Sequence, residues 1–293
     1  MAEITMDLIK QLREKTSVGM MDCKNALIES EGNIDKAIEL LRKKGAAVAA
    51  KRADNSTNHG LITADISSDR QVGSLVEIAC ETDFAANTDA LKNFATALSR
   101  HIVAQKQIVA SDTLLKQPLT GNTLTVGESL EDVVSKISEN TKIGRTACFA
   151  TDTTGIIETY IHPGATLGVM IEITAGTDVS KQKDEIAAMA RNFCMQVAVT
   201  NPLCVRPEEI DAEILAKEKQ IISEQLAMSG KPAAMIEKIM AGKLDKYYEE
   251  VCLLHQKYIK DDKLKIADVC DQLGKKYGTS MTIKRFARFA IGK

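Results

Sequence analysis

The sequence predicts an α+β fold: an N-terminal three-helix domain, then two repeated antiparallel sheet-plus-helix subdomains, the second with an inserted antiparallel helical hairpin. Three observations carry this reading. Residues 1–45 show helical apolar spacing, residues 60–84 match residues 155–179 without a gap, and the second copy closes about 45 residues later than the first. The expected boundaries are 1–55, 56–150 and 151–293, with the hairpin at about 205–250.

In the N-terminal domain Ile4, Leu8, Ile9 and Leu12 form one apolar stripe, and TSVG then breaks the pattern. A second helix over roughly Met20–Ser30 stops at Glu31-Gly32. Asn33 is placed to cap a third, in which Ile34, Ala37, Ile38 and Leu41 recur at i, i+3, i+4 and i+7. The tract KKGAAVAAKRADNSTNHG reads as a helix running out into a linker.

The repeat is the most informative feature. At an offset of 95, Gly60, Ile62, Ile66, Gly73, Glu77, Ile78, Thr82 and Asp83 recur as Gly155, Ile157, Ile161, Gly168, Glu172, Ile173, Thr177 and Asp178. Those 8 identities in 25 positions compare with roughly one or two from average residue usage. The helices that follow keep apolar matches, Leu91 with Ile186, Ala95 with Ala190, Leu98 with Phe193 and Ile102 with Val197. IGRTACF at 143–149 then echoes IKRFARF at 283–289 at an offset of 140, both alternating like edge or half-exposed strands. The growth from 95 to 140 locates an insertion of about 45 residues in the second copy. It holds PEEIDAEILAKEKQIISEQLAMSG, expected to start with Pro at the first helical position, and KPAAMIEKIMAGKLDKYYEEV, joined through a short SGKP turn. Each copy is expected to hold about three strands and two helices, the second helix near 128–138 and 264–276.

Bulk composition removes several function classes. Net charge is −2 (38 basic against 40 acidic side chains), so no global basic field points to nucleic acid or an anionic membrane. No apolar run is long enough to span a bilayer, and MAEITMDLIKQLREKT is unlike a signal or transit peptide. The seven cysteines are scattered singly without a CxxC pair, a reduced, cytoplasmic pattern. No Walker A or GxGxxG loop occurs, and His59, His101, His162 and His255 show no metal-ligand spacing, so no cofactor or metal is expected. Nothing marks a nucleophile elbow or a paired-carboxylate loop.

What remains is a set of surface candidates. Thr82-Asp83-Phe84 ends the strand of the first copy where the second has Thr177-Asp178-Val179. The shared Thr and Asp suit a turn or helix cap, but the common fold does not require the Phe. Phe84 therefore admits two readings: it staples the next helix or fills a local gap, or it stands out as a wedge for a partner. Met20 and Met21 are adjacent thioethers that cannot both face one small core. Arg13 follows the apolar stripe on a solvated face. His162 lies in a hairpin turn where the first copy has Ser67.

At these residues the sequence resembles the bacterial translation elongation factor Ts family. The resemblance rests on LREKTSVGMMDCKNAL at 12–27, ETDFAAN at 81–87, YIHPGATLGV at 160–169, the SGKP turn and the closing IKRFARFAIG, in that order over nearly the whole chain. It implies a non-enzymatic guanine-nucleotide exchange factor for elongation factor Tu. It also implies an N-terminal domain like ubiquitin-associated (UBA) domains that grips a helix of the GTPase domain, with Arg13, Met20 and Met21 as contacts. Asp83 and Phe84 would insert near the magnesium and phosphate side of the nucleotide site. His162 would help shift the phosphate-binding loop, and the second repeat would face another domain of the same partner. Disturbing the magnesium shell weakens nucleotide binding, because the metal bridges phosphate oxygens to protein ligands. Homodimerisation in a 2:2 complex, through the hairpin or the sheet edges, stays open. Two departures stand out: the chain ends soon after RFARFAIG, without the C-terminal helical module of some members, and Pro163 follows His162 where some members have Gly. Beside exchange factor stand a binding adaptor, which would not need Asp83-Phe84, and a small enzyme using an unmarked cysteine.

Overall fold

The computed structural model describes residues 4–16, 18–52, 54–227 and 233–292. Ser17 of the TSVG break and the SGKP turn at 229–232 lie outside the described residues. Helices come first and antiparallel sheets with helices follow, so the α+β class holds.

Helices α1 (Met6–Thr16), α2 (Met20–Glu29) and α3 (Ile34–Arg52) enclose a small core in which Leu12, Cys23, Leu27 and Ala37 are fully buried. The chain leaves α2 through Glu31 and Gly32, both in the left-handed region at φ 53° and 84°. The Asn33 side chain then accepts from the Lys36 N–H at 3.0 Å and caps α3. This last helix continues past its own core to pack on α7 (Val126–Ile137). Gly45 makes that crossing close: a Cβ there would lie 2.6 Å from the Ser135 Cβ.

Strands β1 (His59–Ile66), β2 (Val72–Cys80) and β3 (Thr141–Ala150) form one antiparallel sheet, β2 central. Between β2 and β3 the chain makes α4 (Asp83–Ala86), α5 (Asp89–Gln105), α6 (Ser111–Lys116) and α7. Leu91, Leu98 and Val126 from these helices are buried with Val76 and Ile78 of the sheet. A second sheet has β4 (Gly155–Ile161), β5 (Leu167–Ala175) and, last in the chain, β8 (Met281–Ala290), with β5 central. It is covered by α8 (Lys183–Thr200) and α11 (Ile266–Tyr277), whose Phe193, Val197 and Ile266 are fully buried.

Between α8 and α11 lie α9 (Ala212–Ala227), α10 (Ala233–Val251) and a short pair, β6 (Lys257–Tyr258) with β7 (Asp261–Lys265), which sequence periodicity does not announce. Lys243 donates to Gln225 at 2.6 Å across the two helices. The expected start of α9 at Pro207 is corrected. Pro207–Glu209 is a separate 3₁₀ turn, Ile210 dips into the core, and the Asp211 carboxylate accepts from the Glu213 and Ile214 N–H groups to start the helix proper. At the base of this arm Cys204 and Cys252, 48 residues apart, are bridge partners with Sγ atoms 3.7 Å apart, both as free thiols.

The sheets pack face to face, and several contacts across the interface occur twice. Register comes first: Ile62 pairs with Glu77 and Gly73 with Phe149 in one sheet, Ile157 with Glu172 and Gly168 with Phe289 in the other. Ile157 then sits over Gly73, and Ile62 over Gly168. The Ile62 N–H donates to the Ala165 carbonyl, and the Ile157 N–H to that of Arg70. Within each half, one step beyond the paired strands, the Thr151 N–H donates to the Gln71 carbonyl and the Ile291 N–H to that of Thr166. Arg145 pairs with Glu77, stacks on Phe289 at 5.0 Å and donates to the Ala290 carbonyl. Arg285 pairs with Glu172, stacks on Phe149 at 4.1 Å and donates to Ala150. Each residue and its counterpart differ by the offsets of the sequence repeat, so the two sheets are related by an approximate two-fold axis.

A Cβ at Gly73 would lie 2.5 Å from Ile157 Cγ2, and one at Gly168 would lie 2.5 Å from Ile62 Cγ2. We therefore expect Gly73→Ala and Gly168→Ala each to cost about 1–3 kcal/mol, as overpacking does. Urea denaturation of the two variants should give similar losses, and an unchanged midpoint for either would contradict the close contact.

Candidate functional site

The site begins at Thr82, two residues after β2 ends. All of its polar atoms are engaged. The N–H and hydroxyl donate to the two carboxylate oxygens of Glu139 at 3.0 and 2.8 Å. The hydroxyl oxygen accepts from the Ala85 N–H at 3.2 Å, which caps α4. The carbonyl accepts from the Cys80 thiol at 3.1 Å. Burial, then the Glu139 charge, push that thiol up to about 11, so it stays protonated and donates at neutral pH.

On this anchored turn Ala85 and Ala86 face the core, while Asp83 and Phe84 face out. Phe84 is 82% exposed. Its counterpart in the second copy, Val179, is 2% exposed and belongs to the core. There the Asp178 carboxylate instead accepts from the Ser180 N–H, and the chain turns Val179 inward. The packing reading of Phe84 is thereby excluded: it neither staples the next helix nor fills a gap.

Asp83 borders a cleft of about 600 Å³ whose far wall is the β4–β5 turn, with Thr63, Asn87, Lys92 and Ala165 among its lining. The two-fold relation explains why it is open. At the matching place in the other half, Arg70 fills the gap by pairing with buried Glu158. Here the same positions hold Ala165 and Thr63, too short to meet. Phe84 borders a second cleft of about 570 Å³ with Ile137 and Glu139, on the other side of α4.

His162 is exposed in the β4–β5 turn, whose Gly164 and Ala165 have φ 90° and 55°. Its Nδ1 shares a hydrogen bond with the Tyr160 hydroxyl at 2.9 Å, and the rings meet edge to face. The turn that carries it thus shares a cleft with Asp83, although the imidazole itself is not part of the lining. Arg13, Met20 and Met21 border neither cleft. Met20 packs against the three-helix core, Met21 is 67% exposed, and Arg13 is exposed on α1.

Glu81 links these regions. Its carboxylate accepts from the Arg52 guanidinium at 3.3 Å, from the Asn55 amide at 3.0 Å and from the backbone N–H of Asn140. The end of α3 is thereby tied to the residue preceding Thr82. Sequence reasoning missed both Glu81 and Glu139. The one available signal is that the repeat places Gly176 and Thr279 where they stand. Among the described residues no group of three or more His, Cys, Asp or Glu side chains is placed to hold a metal ion, and no helix is long and apolar enough to cross a membrane.

A family model described as elongation factor TS matches residues 81–293. Over its whole length the chain is 40% identical to the elongation factor Ts of Prosthecochloris aestuarii, itself covered completely. It is 39% identical to that of Clostridium perfringens and 38% to that of Syntrophotalea carbinolica, with 99% of this chain and 93–94% of each relative aligned.

The Glu81 carboxyl is held below the usual Glu value of 4.5, first by the Asn140 N–H and then by the Asn55 amide, with Arg52 adding to both. A lowered carboxyl contributes stability above its unfolded value and loses it as pH falls through its folded one. Wild-type protein should therefore exceed Glu81→Gln in urea midpoint at pH 6, and the gap should close as pH falls below about 4. A gap that stays constant down to pH 3 would show that the charge of Glu81 is not what holds the contact.

Proposed function

The chain belongs to the elongation factor Ts family, non-enzymatic nucleotide exchange factors of elongation factor Tu, and we propose that it expels GDP from that GTPase by driving Asp83 and Phe84 against the magnesium and phosphate side of the nucleotide site. The observation that carries this reading is the contrast between Phe84, almost fully exposed on a clamped turn, and Val179, buried at the matching place. A phenylalanine left in water forgoes about 1.5–3 kcal/mol of burial. That free energy is recovered on a partner, and exposed aromatics of this kind are typical binding hot spots.

A wedge promotes exchange only if it binds the nucleotide-free partner better than the nucleotide-bound one. Phe84 does this if its pocket opens as the nucleotide site relaxes. By linkage, GDP then weakens the binding of this protein by the factor that this protein weakens GDP. Asp83 supplies negative charge beside the phosphates and a carboxylate able to compete for the metal's ligand shell. His162, on the turn facing Asp83 across the open cleft, presses the neighbouring phosphate-binding loop. Arg13, Met20 and Met21 grip a helix of the GTPase domain, and the exposed, polarizable Met21 thioether suits an apolar groove. In this reading residues 1–55 act as the gripping domain, residues 56–150 carry the wedge, and residues 151–293 hold the partner at a second place in the cytoplasm.

Release of fluorescent GDP from purified elongation factor Tu under excess unlabelled GDP tests the reading. Catalytic amounts of wild-type protein should speed release, and Phe84→Ala should lose about tenfold or more of that acceleration while unfolding at the same temperature. Full acceleration by the variant would remove the wedge. Binding without any acceleration by wild-type protein would leave an adaptor.

A further inference from the structure

We propose that Glu139 is a positioning residue for exchange: it locks Thr82 so that Phe84 stays projected from α4. The inference rests on the wedge reading above. Both oxygens of the Glu139 carboxylate are committed to Thr82, one to its N–H and one to its hydroxyl. Because the hydroxyl proton points to Glu139, the lone pairs of that oxygen face the Ala85 N–H, which they cap. A single carboxylate thus fixes the torsions of Thr82 and the direction in which a four-residue helix leaves the sheet. So short a helix has little hydrogen bonding of its own to hold that direction.

Glu139 is held in turn by its neighbours. It follows Ser138, the left-handed residue that ends α7 (φ 60°), and precedes Asn140, whose backbone N–H is bound by Glu81. Glu139 also lines the cleft that Phe84 borders, so clamp and wedge share one face.

The internal repeat separates this role from a requirement of the fold. In the second copy Thr279 stands at the position of Glu139, Gly176 at that of Glu81 and Val179 at that of Phe84. That copy builds the same three-stranded sheet without the carboxylates, has the 3₁₀ turn Ser180–Gln182 where the first has α4, and turns its apolar residue inward. Clamp and exposed aromatic therefore occur together in one copy and are absent together from the other.

The test is a double-mutant cycle in the GDP-release assay, with Glu139→Ala, Phe84→Ala and the double variant, alongside amide hydrogen exchange of the free protein. Glu139→Ala should lower kcat/KM for release about tenfold, the loss of charge-assisted hydrogen bonds. Glu139→Gln, which keeps one acceptor, should recover part of it. In the Phe84→Ala background Glu139→Ala should cost little more, because both act through the same side chain. In the free protein the Ala85 and Asn87 amides should exchange at least tenfold faster in Glu139→Ala, with the α5 and β2 amides unchanged. Additive losses in the cycle, or unaltered exchange at Ala85, would overturn the proposal. If wild-type protein failed to release GDP, the wedge reading would fall, while the exchange rates at Ala85 would still decide whether Glu139 holds the turn.

Discussion

The structure depends on one reciprocal contact, in which the isoleucine of each half covers the glycine of the other. Ile157 on Gly73 and Ile62 on Gly168 bring the two sheets close enough for the turn of each half to reach the edge of its neighbour. Main-chain hydrogen bonds and two arginine–phenylalanine stacks then follow from the same approach, each arginine being held by a glutamate of its own sheet. Glu172 is fully buried there, so its charge is tolerable only while Lys284 and Arg285 meet it. These polar contacts fix which residues face each other more than they add stability. The apolar seam of Leu75, Phe149, Met170 and Phe289 supplies the driving force.

The candidate site follows from that arrangement. Because each turn is delivered to the opposite half, the turn bearing His162 arrives beside Asp83, and the turn bearing Arg70 arrives beside α8. One delivery ends in an ion pair and a filled gap, the other in short side chains and an open cleft. The N-terminal helices are joined to the same place from the other side, through Gly45 against Ser135 and through Glu81. Three surfaces distant in sequence are thus joined by direct contacts.

Much of this could be read from the chain before any coordinates. The repeat was visible because it preserves residues whose size or charge the interface demands: small Gly73 and Gly168, paired Glu77 and Glu172, stacked Phe149 and Phe289. Their mutual contact was not visible, because matching positions in two copies say nothing about whether the copies touch. Phe84 stood out as an aromatic the repeat lacks, but its orientation needed the fold, since the same turn buries Val179 in the other half. Glu139 was hidden because it lies 57 residues from Thr82 and no local pattern links them. The start of α9 was misplaced for a local reason: Pro207 and two acids resemble a helix start, yet Asp211 offers a better cap four residues on.

The two-fold interface also has a consequence for assembly. A symmetric pair of identical subunits would hold these sheets together only above some protein concentration and would come apart on dilution. With both halves in one polypeptide the association is intramolecular, and dilution cannot reverse it. Identical subunits would also carry every substitution twice, so an open cleft on one side would mean an open cleft on the other. Tethering removes that obligation. The turn of the first half carries Arg70, which seals the gap in the second, whereas the matching turn of the second half carries Ala165 and leaves a cleft open, so a nearly symmetric body can present a face with a single polarity and a single direction.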